Sequence, residues 1–332
     1  MRLIVLNQLS VKSRTFLVRL FISIFLISVV GIMLLLRAMY YMPVYYEDDW
    51  LESDTTIDPA IHDVQLRVST RLLSPTQEQK QQPVCVLVHG FSASSFELEA
   101  FKASILAKDP TVLFSTIVMG GHGRSYDAFK SASYHDWIQP IIDEVSTLND
   151  QGFQDIRLFG VSAGAAGIVH LILNGELKHT PIRQVVLMDP YILPTNKTLY
   201  LVPVLKYVIT NTRLEDIRSI GTQNWYTNRP ASALHELLKL VKSVQHDLTT
   251  YDGKIVPPMT IYTANNDPTA DTKGVDMVLD ALGSDVVTIK RYDSDRHVII
   301  EPTSKDDWAE KDQAHYDRII DEIYGLIQLD NR

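Results

Sequence analysis

Residues 156–167 read IRLFGVSAGAAG: six mostly apolar residues, a serine, then a run of small residues. Gly160-Val161-Ser162-Ala163-Gly164 fits the pattern G-x-S-x-G, with an apolar strand pattern before it and an apolar helix pattern through Leu173 after it. A strand that passes directly into a helix must reverse within one residue, and that residue is forced into a strained backbone conformation. A side chain two positions to either side would collide with the reversal, so Gly160 and Gly164 are required by shape. The following helix directs the positive end of its dipole at the turn. A serine hydroxyl presented in this way is a candidate nucleophile, whereas a plain buried turn needs no such pairing of glycines.

Working outward, strand and helix patterns alternate from Pro83 onward. VCVLVHGF (84–91), VLFSTIVMG (112–120), QVVLMD (184–189), MTIYTA (259–264) and VVTIKRY (286–292) are short apolar runs. Such runs are typical of strands buried on both faces. Helical spacing is present around Trp137–Leu148, over 275–282 and from about Asp306 to Leu329, and 62–73 has the partial alternation of an early strand or hairpin arm. Alternation of this kind predicts an α/β fold with a mostly parallel, doubly wound sheet. The 70 or so residues from Tyr191 to Pro258 are an insertion into that series, expected as a cap over about 191–257; within it LYLVPVLKYVI (199–209) reads as a buried cap helix or an acyl-chain platform, with plain cap packing the preferred reading.

Ligands in such sheets lie at the carboxyl ends of the strands, and the reactive residue types fall there. The Ser162 hydroxyl needs a base to remove its proton at neutral pH. Of ten histidines, His297 closes the segment YDSDRH just past the last strand, where a loop reaches back over the sheet. His62, His135, His170, His179, His235, His246 and His315 fall in loops, helices or the insertion and read as structural. The imidazole in turn needs a carboxylate to hold its tautomer. Asp267, in TANNDPTAD, is the acid closest to the end of strand 259–264; Asp271 and Asp189 are the alternatives, while Asp293 and Asp295 are too near His297. The backbone N–H groups of Ala163 and Phe91 are the expected oxyanion donors. His89, beside Phe91, reads as a brace for that loop.

LVHGF, GGHGRS (120–125), GVSAG, NND and RHVI, in this order, resemble the α/β-hydrolase superfamily, and most of all its monoacylglycerol lipase and carboxylesterase branch. The resemblance covers about residues 60 to 329. It implies Ser162 as nucleophile, Asp267 as acid and His297 as base, with Phe91 and Ala163 as oxyanion donors. It also implies that GHGRS is a structural loop, which makes His122 a scaffold residue. The sequence departs from the branch at Asp267-Pro268-Thr269, where an apolar residue usually stands two positions after the aspartate.

The N-terminus has a different character. LFISIFLISVVGIMLLL (20–36) is uncharged and is preceded by Arg2, Lys12, Arg14 and Arg19 with no acid. It is followed by Arg37 and then by five acids between Glu47 and Asp54. About twenty apolar residues suffice to cross a bilayer as a helix. The charge asymmetry puts residues 1–39 on the cytoplasmic side and in the membrane. It places the catalytic part outside, as for a bacterial inner-membrane protein facing the periplasm. Residues 40–60 read as a linker with Tyr40, Tyr41, Tyr45, Tyr46 and Trp50 at headgroup level, and 61–332 as the hydrolase domain. A cleaved leader is disfavoured because Arg37 ends the run and no A-x-A-like site follows.

Among 332 residues the net charge is −9, which argues against nucleic acid as a partner. Cys85 is the single cysteine, so no disulfide forms within the chain. No dinucleotide turn, P-loop or H-E-x-x-H motif is present, so neither a cofactor nor a metal is expected. The expected function is hydrolysis of an acyl ester or lipid at a membrane. An acyltransferase or peptidase with the same residues, and a tethered binding module, are the alternatives.

Overall fold

A computed structural model describes residues 11–40, 67–68, 74–123, 126–213, 225–226, 228–300 and 310–328. The aromatic linker at 41–60, His62, Arg124, Ser125 and the start of the last helix at 301–309 lie outside the described residues.

The first element is helix α1 (Val11–Tyr40). Within it Thr15–Leu34 is long and apolar enough to cross a membrane, and none of that window is buried in the protein. The remaining elements run β1 (Arg67–Val68), β2 (Val84–Val88), α2 (Glu99–Lys108), β3 (Leu113–Val118), α3 (Tyr126–Ser131), α4 (Tyr134–Gln151), β4 (Ile156–Val161), α5 (Ser162–Leu173) and β5 (Ile182–Met188). They continue with α6 (Val202–Leu205), β6 (Asn211–Arg213), β7 (Asn228–Pro230), α7 (Ala231–Thr250), β8 (Met259–Ala264), α8 (Lys273–Leu282), β9 (Val287–Tyr292) and α9 (Glu310–Gln328).

Among the described residues, seven strands form one sheet in the order β1-β3-β2-β4-β5-β8-β9. Within that sheet only β1 runs antiparallel to its neighbour; the others pair in parallel. The continuous apolar runs follow from burial on both faces, because alternate side chains enter two separate cores. Val84, Val86, Val88, Ile156 and Leu158 join a cluster with residues of α4, α5 and α7. Cys85, Leu87, Phe159 and Val161 join another with Phe101 and Ile105 of α2 and Ile319, Ile320, Ile323 and Ile327 of α9. Phe101 stacks on Phe159 at 4.4 Å between centroids.

The chain order turns back on itself around β2, which has β3 on one side and β4 on the other. At such a switch point the loops leaving two adjacent strands diverge and open a crevice. The loops in question carry Phe91 and Ser162.

Between β5 and β8 the chain leaves the sheet over the segment expected as a cap, which includes the small antiparallel pair β6–β7. Its main element is α7, whose Leu237, Leu238, Val241, Val244 and Leu248 are buried. A polar link also ties the cap to the helix behind the serine: His170 Nδ1 of α5 lies 2.5 Å from Asp247 Oδ2 of α7. The stretch 199–209 packs in part, with Leu199 and Val208 buried, but not as one helix. It forms a 3-10 turn and the four-residue α6, and Leu201, Val204 and Tyr207 are 56%, 59% and 72% exposed. Pro203 would remove an interior N–H from one continuous helix over 199–209, whereas at the start of α6 that loss is tolerated.

Candidate active site

Ser162 stands at the junction of β4 and α5 with φ of +50°, in the left-handed region that a serine enters only under constraint. The glycines explain how the turn is tolerated. A Cβ on Gly160 would lie 2.6 Å from Ile168 Cδ1 and 2.9 Å from Ala165 Cα. A Cβ on Gly164 would run into the carbonyl oxygens of His89 and Val88, the latter at 2.8 Å. The elbow is therefore pressed against its own helix on one side and against the end of β2 on the other.

Three side chains from distant parts of the chain meet here. His297 Nε2 is 2.8 Å from Ser162 Oγ, and His297 Nδ1 is 2.7 Å from Asp267 Oδ2. The second oxygen, Asp267 Oδ1, accepts the N–H groups of Thr269 at 2.7 Å and Ala270 at 2.9 Å. These bonds within the loop after β8 leave Oδ2 turned to the imidazole. Pro268 and Thr269, where the sequence departs from the resembling branch, thus sit in a turn closed by backbone N–H groups. Asp271 faces elsewhere: it accepts the N–H of Lys273 and lies 3.6 Å from Lys197 Nζ.

Asp189, the other alternative acid, is buried and reaches the same neighbourhood without replacing Asp267. Its Oδ1 accepts the N–H of Ala264, and its Oδ2 accepts the Tyr292 hydroxyl and the N–H of Val298. Burial, and then the nearby charge of Asp267, raise its pKa to about 6, with His297 acting in the opposite direction. Asp189, Asp267 and His297 bring potential metal-ligating atoms within 4.8 Å of one another. Each of those atoms already takes part in a hydrogen bond to a backbone N–H, a hydroxyl or a neighbour in the group.

Phe91 follows Gly90 on the loop leaving β2. A Cβ on Gly90 would stand 3.1 Å from Ser162 Cβ, so this loop lies directly against the serine. Ala163 opens α5, where backbone N–H groups have no intrahelical acceptor. Two residues that hold the loop escape sequence reading. Buried Glu97 accepts the N–H of Gly90, and Arg229 of β7 donates through Nε to Ser92 Oγ at 3.0 Å while lying 5.6 Å from the Phe91 ring centroid. Tyr226 N–H also bonds to the Ser92 carbonyl at 2.9 Å. The cap is thus attached to the loop beside the serine. Glu97 lies in SSFELEAF among apolar residues at helical spacing, where nothing local distinguishes a buried carboxylate from a surface one.

His89 is fully buried and braces the same loop. Its Nε2 accepts the N–H of Met119 at 3.0 Å, which makes Nδ1–H the donor to Gly90 O at 2.8 Å. Burial lowers its pKa from 6.5 to about 4. The folded chain therefore keeps this imidazole neutral over a range in which the unfolded chain protonates it. Stability from this group is fully present above pH 6.5 and is lost as pH falls towards about 4, a difference of about 3 kcal/mol. Thermal melts between pH 7 and pH 4 are expected to show this loss, and His89→Gln to flatten it. Parallel melting curves for both chains would contradict the assignment. His122 is buried nearby with Nδ1 3.3 Å from Gly120 O, its pKa also held down by burial, and packs edge-on against Phe129 and Trp137.

A mostly parallel sheet with a serine elbow at its switch point and a long insertion before β8 defines the α/β-hydrolase fold. The family model described as serine aminopeptidase S33 matches residues 79–303, well over half of the chain. The chain belongs to that family and is a serine hydrolase. Among solved structures it is similar to a metagenome-derived lipolytic enzyme of the LipS and LipT study, at 13% identity over 75% of this chain and 94% of that one, with a TM-score of 0.60. It is also similar to a soluble variant of the Saccharomyces cerevisiae monoglyceride lipase solved with a substrate analogue (14% identity, 81% and 98% covered, TM-score 0.60). A third similar structure is a monoacylglycerol lipase from Paleococcus ferrophilus (14% identity, 74% and 96% covered, TM-score 0.55). At these identities the likeness is one of fold, of the lipase and esterase type.

Proposed function

We propose that the protein is a membrane-anchored serine hydrolase that cleaves acyl esters, with a monoacylglycerol or lysolipid as the substrate class, through Ser162, His297 and Asp267. The observation that carries this reading is the relay of 2.8 and 2.7 Å from Ser162 Oγ through the imidazole to Asp267. His297 Nε2 takes the hydroxyl proton as Oγ attacks the ester carbonyl, and the N–H groups of Phe91 and Ala163 receive the oxyanion. Collapse expels the alcohol with the proton returned from His297, and water then repeats the sequence to release the acid.

Among the described residues, the carboxylates beside the serine favour an ester over a peptide with a free amino terminus. An aminopeptidase binds its substrate's ammonium group with an acid. Asp267, Asp189 and Glu97 are each committed to imidazole, hydroxyl or backbone N–H donors. The apolar window Thr15–Leu34, with basic residues before it and acidic residues after it, supports an anchor that leaves the hydrolase domain, residues 61–332, outside the cytoplasm. An anchored cleft meets lipid esters at the surface where they reside.

The test uses the full chain in detergent micelles, with p-nitrophenyl esters of graded chain length, monoacylglycerols and aminoacyl p-nitroanilides. Turnover of the esters, little or none of the anilides, and fluorophosphonate labelling at Ser162 are expected. Anilide hydrolysis without ester hydrolysis would mean a peptidase, and absence of both turnover and labelling would mean a binding module. N-terminal sequencing of the purified protein should begin before Thr15; a start beyond Arg37 would replace the anchor with a leader.

A further inference from the structure

Asp189 follows β5 with φ of +43°, and its carboxylate joins the ends of three strands. Oδ1 accepts from Ala264 N–H at the end of β8 at 2.8 Å. Oδ2 accepts from the Tyr292 hydroxyl at the end of β9 at 2.7 Å and from Val298 N–H at 3.0 Å. Val298 is next to His297 and has φ of +57°, a conformation that a β-branched residue adopts only when its surroundings impose it. Two residues beyond Asp189, Tyr191 N–H bonds to the Ser162 carbonyl at 3.0 Å, so the same short loop grips both the elbow and the histidine loop.

Joining strand ends does not require a charge, and a buried carboxylate is expensive to desolvate. What a carboxylate provides here, and a neutral group would not, is a second negative charge beside the ring that becomes imidazolium during the reaction. Its three donors also dictate an acid: an amide in its place would turn an N–H₂ group towards at least one N–H or O–H donor.

We propose that Asp189 is a positioning residue for His297: its carboxylate holds the strained Val298 backbone, and with it the ring, between Ser162 and Asp267, while its charge stabilises the imidazolium. This rests on the reading of Ser162, His297 and Asp267 as the reacting set. Among the described residues, the other titratable groups facing the pair are Asp267 from the loop after β8 and Tyr292 from β9. Arg296, next to His297, is turned to Asp312 of α9 at 3.0 Å.

The test is the ring pKa of His297, followed by NMR on the full chain in micelles with labelled histidine, alongside the pH profile of ester turnover. In Asp189→Asn the ring pKa is expected to fall by about one pH unit. The acid limb of kcat/KM should move down with it, and kcat should drop while KM holds. An unmoved ring pKa with wild-type kcat overturns the proposal, as does a loss of activity with the ring pKa unmoved, which would mark a purely structural role. Tyr292→Phe keeps the carboxylate but removes one donor. Asp189 then protonates at higher pH, and the His297 resonance should register that step. A resonance blind to it overturns the proposal even if Asp189→Asn fails to fold. Because the ring pKa is read without turnover, a shifted ring in a chain inactive on every substrate would refute the esterase reading alone. An unshifted ring in an active esterase would refute this proposal alone.

Discussion

Ester turnover by Ser162→Ala is expected to fall roughly a million-fold in kcat, the scale on which removal of a triad serine acts. The variant deletes the nucleophile and leaves its surroundings intact. The substituted alanine still requires φ near the +50° of the present turn, which the packing of Gly160 and Gly164 imposes whatever side chain stands between them. The melting temperature should therefore stay close to that of the parent chain. Fluorophosphonate labelling, read by mass spectrometry on the peptide containing residue 162, should vanish. Residual hydrolysis on the order of a thousand-fold above water is expected to persist, because the oxyanion donors remain. Equal turnover by the two chains would end the assignment of Ser162.

The second large effect is expected at Asp267→Asn, about ten-thousand-fold in kcat. Asp267 Oδ1 is held by Thr269 and Ala270 N–H, so an asparagine keeps its carbonyl oxygen there and turns its N–H₂ group to His297 Nδ1. That contact is satisfied only if Nδ1 accepts, which moves the ring proton to Nε2. The nitrogen facing Ser162 Oγ then carries a hydrogen and cannot take another. Asp271→Asn is the matched comparison, since Asp271 bonds to Lys273 N–H and lies near Lys197, away from the imidazole. It should retain the parent's turnover. A pair of variants with the reverse outcome would shift the acid from Asp267 to Asp271.

These two expectations differ in how far local sequence supports them. The elbow is legible because a strand–turn–helix reversal is a local event: the steric demand falls on residues two positions away, and only glycine meets it. The strands are legible for a similar reason, since burial on both faces leaves a continuous apolar run that no surface segment needs. The expected strands at 156–161 and 259–264 coincide with β4 and β8, both buried throughout; that at 286–292 matches the partly exposed edge strand β9 to within one residue. The cap is legible as an interruption but not in its architecture. Its apolar stretch 199–209 reads as the packing helix. In the structure it is a 3-10 turn and a four-residue helix, with Leu199 and Val208 buried and Leu201, Val204 and Tyr207 facing outward.

Patterns within a few turns of chain are enough for the layered α/β fold, the serine elbow and the apolar N-terminal helix. The same patterns favour Asp267 over Asp189 and Asp271 as the partner of His297 only through its nearness to a strand end, a weak criterion where each lies just beyond one. The folded chain brings Asp267 to the ring and sets Asp189 against the backbone behind it. It also brings Glu97 and Arg229 to the loop beside the serine, which no local pattern foretells. Those roles depend on the ends of strands far apart in sequence being brought side by side, and on where burial leaves a carboxylate or guanidinium facing a backbone or side-chain partner. A residue's identity and spacing carry no record of that direction.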